Sequence, residues 1–64
     1  MAELKRATKK LRDAGINDII VVKGAYGPYL YNPAYKHQCG TVYSSANACI
    51  DAALKGERPV EITD

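Results

Sequence analysis

The chain contains no phenylalanine and no tryptophan, only one histidine, and only two cysteines. Each shortage excludes something. A buried phenol must find a hydrogen-bond partner, so a core built on aromatic packing ordinarily includes Phe. Here all five aromatics are tyrosines, Tyr26, Tyr29, Tyr31, Tyr35 and Tyr43. A set of this kind is expected to lie on a surface, with hydroxyls reaching water or a partner. Cys39 and Cys49 are too few for a disulfide framework, and free thiols are the simplest state for them. One histidine and two scattered cysteines fall short of a zinc tetrad, so neither a metal nor a cofactor is expected. No apolar run approaches the roughly 20 residues of a membrane span, and no secretory leader is legible. The expected setting is cytoplasmic, without membrane contact.

Catalytic constellations are equally sparse. His37 and Cys39 stand two residues apart, on the same side of an extended segment, a spacing that can generate a thiolate nucleophile. No orienting group or oxyanion hole is legible near them, and the pair reads as a solvated loop histidine and a half-buried thiol. Asp13 and Asp18 flank Gly15, and Asp51 faces solvent on a helix; none has the apolar setting that raises a carboxyl pKa for acid–base work. Lys23-Gly24 lacks the glycine spacing of a phosphate loop. The expectation is a protein that is not an enzyme.

What is present begins with size. Sixty-four residues make one domain, 1–64. A chain this short buries only roughly 60% of the surface its unfolded form exposes, which leaves room for a monomer or a homodimer. The net charge is +2, unevenly spread. Residues 1–36 hold seven Lys/Arg against three Asp/Glu, and residues 37–64 two against four. Lys5, Arg6, Lys9, Lys10 and Arg12 carry most of the basic excess. Such a dipolar distribution steers a small protein towards an acidic partner or a polyanion.

Leu4, Ala7, Thr8, Leu11 and Ala14 recur at helical spacing and predict a first helix over about residues 2–14, closed by Gly15 with Ile16 folding back onto Leu11. Ile19-Ile20-Val21-Val22, within the segment Asp18–Lys23, predicts a strand covered on both faces. Gly24 and Gly27-Pro28 punctuate a turn. Tyr29-Leu30-Tyr31 resumes an extended strand with both tyrosines on one face and Leu30 on the other. Asn32-Pro33 opens a polar loop to about Gly40, followed by Thr41-Val42-Tyr43 as a third strand. Ser44 or Ser45 is a natural N-cap for a second helix with Ala46, Cys49, Ile50, Ala53 and Leu54 as its apolar stripe. Gly56 and Pro59 close that helix. The tail Val60-Glu61-Ile62-Thr63 alternates and suits a short edge strand. The expected fold is α+β in the order α-β-β-β-α. Both helices pack on one face of a single three-stranded antiparallel sheet, and the tyrosine face is left open.

Lys23-Gly24-Ala25-Tyr26-Gly27-Pro28-Tyr29-Leu30 resembles the repeat in the C-terminal region of bacterial type I topoisomerases, where a Gly-x-Tyr-Gly-Pro-Tyr segment forms a hairpin. That resemblance covers roughly residues 21–56. It implies single-stranded DNA contact, with Tyr26 and Tyr29 stacking on bases. The helix–three strands–helix layout resembles the toxin of HicA-type toxin–antitoxin pairs, but Gly24-Ala25-Tyr26 stands where that family carries its catalytic histidine. A third resemblance spans most of the chain. Leu11–Ile16, Gly24–Tyr31 and Gly40–Tyr43 look like the basic helix, tyrosine hairpin and short strand of small proteins encoded by phages and mobile elements, anti-CRISPR inhibitors among them. It implies a non-enzymatic inhibitor that occludes a host nucleic-acid-handling (CRISPR-Cas-like) complex by protein–protein binding in a bacterial cytoplasm. The anchors would be Tyr26, Tyr29, Tyr31 and Tyr35, rimmed by Lys5, Lys9, Arg12 and Lys23. The alternative reading is a single-stranded DNA- or RNA-binding module that combines the tyrosines with the basic helix.

Overall fold

The computed structural model describes residues 2–63; Met1 and Asp64, counted in the expected domain, lie outside them. The chain runs β1 (Ala2–Glu3), α1 (Lys5–Asp13), β2 (Ile20–Gly24), β3 (Gly27–Tyr31), β4 (Gln38–Cys39), α2 (Ala46–Leu54) and β5 (Val60–Glu61). The centre is the antiparallel β2–β3 hairpin, in register Ile20 with Tyr31, Val21 with Leu30 and Val22 with Tyr29. Two residues of β1 add to its free β2 edge, pairing Ala2 with Lys23 and Glu3 with Val22. Residues β4 and β5 form a separate two-stranded ribbon.

The expected single sheet of three full strands is therefore not what forms. Thr41-Val42-Tyr43 contributes one isolated bridge, Tyr29 with Val42, and one further bond from the Tyr43 N–H to the Pro28 carbonyl at 2.9 Å. The chain has to reach the Ser45 cap immediately after Tyr43, which leaves no length for a ladder. Gln38 and Cys39, expected in a loop, pair instead with the tail, and the Ile62 N–H donates to the His37 carbonyl at 2.9 Å. The first helix also starts later than its periodicity suggests. Its first residues serve as an edge strand, because the apolar β2 would otherwise present an unpaired backbone edge.

Both helix ends follow from sequence. Gly15 (φ +85°) and Gly56 (φ +101°) take the left-handed conformation. The Ile16 N–H reaches the Leu11 carbonyl and the Gly15 N–H that of Arg12. The Glu57 N–H likewise reaches Ala52, and the Gly56 N–H reaches Ala53. These paired bonds are the Schellman pattern that satisfies last-turn carbonyls. At the start of α2 the Ser45 hydroxyl accepts from the Ala48 N–H at 3.2 Å. The first helix has no such side-chain cap; Leu4 is held by its own N–H to the Val21 carbonyl at 2.7 Å.

The core joins Ala7 and Leu11 of α1, Ile19, Val21 and Leu30 of the hairpin, and Cys49 and Ala53 of α2. Val21 and Leu30 face each other on one side of the hairpin, so both helices pack on that side. Two stripe positions differ from expectation. Ala14 is exposed beyond the helix end, and Leu54 is 56% exposed while Ala52 is buried. Leu54 stands about 140° around the helix from Cys49, off the buried arc. Thr8 is the buried polar side chain, and its hydroxyl accepts from the Val21 N–H at 3.0 Å.

Candidate partner-binding surfaces

Strand alternation puts Gly27, Tyr29 and Tyr31 on the face away from the helices, beside Ile20 and Val22 of the neighbouring strand. Cross-strand pairing makes a row across this face: Glu3, Val22, Tyr29 and Val42. The rings do not stand free of the sheet. Tyr29 and Tyr31 are half-buried, and Val22 is only 5% exposed although it lies outside the core cluster. Tyr29 lies across Gly24, where a methyl group would stand 2.6 Å from its Cε1. A glycine under an aromatic ring gives the ring a flat seat that any side chain would block.

The hairpin tip is Ala25-Tyr26, and neither residue has positive φ. Gly27 absorbs the geometry instead, with φ +136°. A methyl there would stand 3.0 Å from Val42 Cγ1 and 3.1 Å from the Tyr43 carbonyl, so this glycine also lets the 41–43 segment close on the hairpin. Tyr26, on the tip, is 92% exposed, and Val42 is 45% exposed at the far edge. Both glycines of the tyrosine motif thus have structural duties.

Tyr35 is half-buried in the loop after β3, its N–H on the Asn32 carbonyl at 3.1 Å. Gln38 ties that loop shut. Its carboxamide oxygen accepts from the Asn32 N–H, and its nitrogen donates to the Asn32 carbonyl, both at 2.8 Å. Tyr43 belongs elsewhere, packed against the core. Burial first, then the nearby Glu57 carboxylate, pushes its phenol pKa above the ordinary value, partly offset by a hydrogen bond with Thr41. The expectation that all five rings serve a surface therefore fails at Tyr43.

The basic residues do not join the tyrosines. The helix α1 packs on the opposite side of the hairpin, and it carries Lys5, Lys9 and Arg12 with it. Lys23 shares strand parity with core-facing Val21 rather than with the tyrosine face. Arg12 is committed to the chain itself, donating to the Ile16 and Ile19 carbonyls at 3.4 and 3.3 Å. The single surface expected from sequence is two surfaces on opposite sides.

The second surface is a groove between α1 and α2. Leu4, Ala7, Ala46 and Ile50 give it an apolar floor, and Lys5, Arg6 and Lys10 a basic rim. Among the described residues the ion pair is Arg58–Asp18 at 2.9 Å, which leaves these three cations without a carboxylate partner. Sequence reading did not identify this groove. Its signal was the Arg6–Lys10 spacing of four residues, which places both cations on one flank of the buried stripe.

His37 and Cys39 are both exposed, and Cys49 is buried, which pushes its thiol pKa up. Among the described residues no cluster of three or more His, Cys, Asp or Glu side chains is placed to hold a metal ion. No helix of the described residues is long and apolar enough to cross a membrane. No protein-family model matches the chain, no curated protein matches its sequence, and no solved structure matches its fold.

Proposed function

We propose that this chain is a binding protein, without chemistry of its own, that captures a larger protein partner on the tyrosine face of its hairpin and obstructs it. The observation that carries this reading is Tyr26, 92% exposed on the tip of a hairpin whose outer face carries Tyr29 and Tyr31 and adjoins exposed Val42. An apolar surface crowned by phenols is costly to leave in water, and such residues concentrate binding energy at interfaces. The partner class we favour is a nucleic-acid-handling complex in a bacterial cytoplasm, following the resemblance to small phage-encoded inhibitors. A protein surface of that complex fits the tyrosine face better than a nucleic acid strand does. Stacking platforms work together with cations along a phosphate track, and this face has Glu3 in its central row while the lysines lie on the other side.

The test is capture of partners from bacterial lysate by the intact chain and by a Tyr26→Ala/Tyr31→Ala variant of confirmed fold. Loss of one or more specific partners, by roughly 30-fold for a contact energy of about 2 kcal/mol, supports the reading. An identical set of captured proteins contradicts it. Fluorescence anisotropy with a labelled oligonucleotide at two salt concentrations separates the alternative. Tight, steeply salt-dependent binding through the tyrosines would favour a single-stranded nucleic-acid module instead.

A further inference from the structure

We propose that the groove between α1 and α2 is a second docking site, which seats an acidic amphipathic helix of a partner protein. The inference stands apart from the tyrosine-face reading and uses residues on the opposite side of the molecule. Three cations line one wall, and none of them has a carboxylate partner among the described residues. Beneath them lies an apolar floor that includes Leu4 and Ile50, both only partly buried although packed on the core. A ligand complementary to both features carries acidic groups flanking an apolar stripe. An amphipathic helix with leucines at three- and four-residue spacing and glutamates on its flanks has that shape. Laid between α1 and α2 it would extend the helix layer by ordinary ridge-in-groove packing.

Other polyanions suit the groove less well. A phosphate backbone would pair with the cations but leave the apolar floor unmatched. A bilayer is flat, whereas this surface is concave between two helices. The geometry therefore points to a protein segment, and charge complementarity gives its sign.

The probe is a fluorescein-labelled 16-residue helical peptide with Leu on one face and Glu on its flanks, titrated by anisotropy against the whole chain. Saturable binding is expected, at least tenfold tighter than to a scrambled peptide of equal composition. Arg6→Glu/Lys10→Glu, with circular dichroism unchanged, should lose at least tenfold. A matched peptide with Lys in place of Glu should regain affinity for that variant, which a merely destabilised fold would not produce. Equal affinity for the helical and scrambled peptides would overturn the proposal, as would affinity unchanged by the charge reversal. So would stronger, Arg6- and Lys10-dependent binding to a dT15 oligonucleotide or to phosphatidylglycerol vesicles. Self-association that the same reversal abolishes would assign the groove to a second copy and overturn it equally.

Discussion

Thr8 holds a position that residue type alone does not explain. It sits on the buried stripe of α1, where its hydroxyl accepts the Val21 N–H at 3.0 Å and so replaces a backbone partner for the central strand. Thr8→Val keeps the shape and removes the acceptor. The stranded N–H should cost about 1–3 kcal/mol in urea unfolding, whereas Thr8→Ser should retain most of the bond. Equal stability of the Val variant would show that this bond is dispensable. Gly27 is the other residue with a decisive local role. Gly27→Ala combines φ +136° with contacts at 3.0 and 3.1 Å, and a loss of about 1–3 kcal/mol is expected. Gly24→Ala should behave differently. It has no positive φ, so the Tyr29 ring must move off its seat, and the larger effect should fall on partner capture rather than on folding. These duties were only partly legible in the sequence. Glycine announced a turn, but neither the ring over Gly24 nor the approach of Val42 to Gly27 leaves a local pattern.

At the scale of elements, the two helices and the hairpin were legible because periodicity, caps and turn residues agree locally. Leu11 with Gly15-Ile16, and Ser45 with Gly56, marked real helix ends. The pairing of short segments was not legible. Two residues at 2–3 and two at 38–39 choose their partners by which backbone edge is left open, and that is decided only after the larger elements pack. Arg58 shows how such late choices are secured. It donates to the Ala53 carbonyl at 3.0 Å at the end of α2, and it meets Asp18 at 2.9 Å. The Arg58–Asp18 pair is solvent-screened, so Asp18→Asn should change stability by less than about 1 kcal/mol in urea unfolding. Arg58→Ala also removes the additional bond to the Ala53 carbonyl and should cost more than Asp18→Asn; the reverse order would contradict this division.

Burial of Cys49 in α2 predicts a pH response. The folded state holds its thiol proton, and that of the Tyr43 phenol, above the pH at which the unfolded chain releases them. The native state then binds more protons, so stability falls as pH rises. The decline should begin near the ordinary thiol value, about 8.5, and continue through the raised folded values. Urea midpoints measured against pH read this directly, and Cys49→Ala should remove the lower-pH part of the slope. A midpoint that rises over that range would contradict the assignment.

For the whole molecule, the decisive feature is the separation of two surfaces by the hairpin. Composition showed a tyrosine set and a basic set, and their proximity in sequence joined them into one site. Strand parity and helix placement separate them: Tyr29 and Tyr31 face one way, and Lys5, Lys9 and the Arg6–Lys10 flank lie on the other side. The outward placement of Tyr29 and Tyr31 was thus readable from alternation. The placement of the basic residues was not, because which face a helix covers is a tertiary outcome. Tyr43 departs from the expected surface set for a similar reason, since a half-buried ring can pack against the core while its hydroxyl bonds to Thr41.

The central claim, capture of a partner by the tyrosine face, is tested most directly by photo-crosslinking from defined positions. A benzophenone side chain is placed at position 26 or 31, or at exposed Asp51 on the outer side of α2 as a control, and irradiated in bacterial lysate. The account predicts one shared adduct from positions 26 and 31 that position 51 does not give. An adduct from position 51 alone, or none from the hairpin, would contradict it.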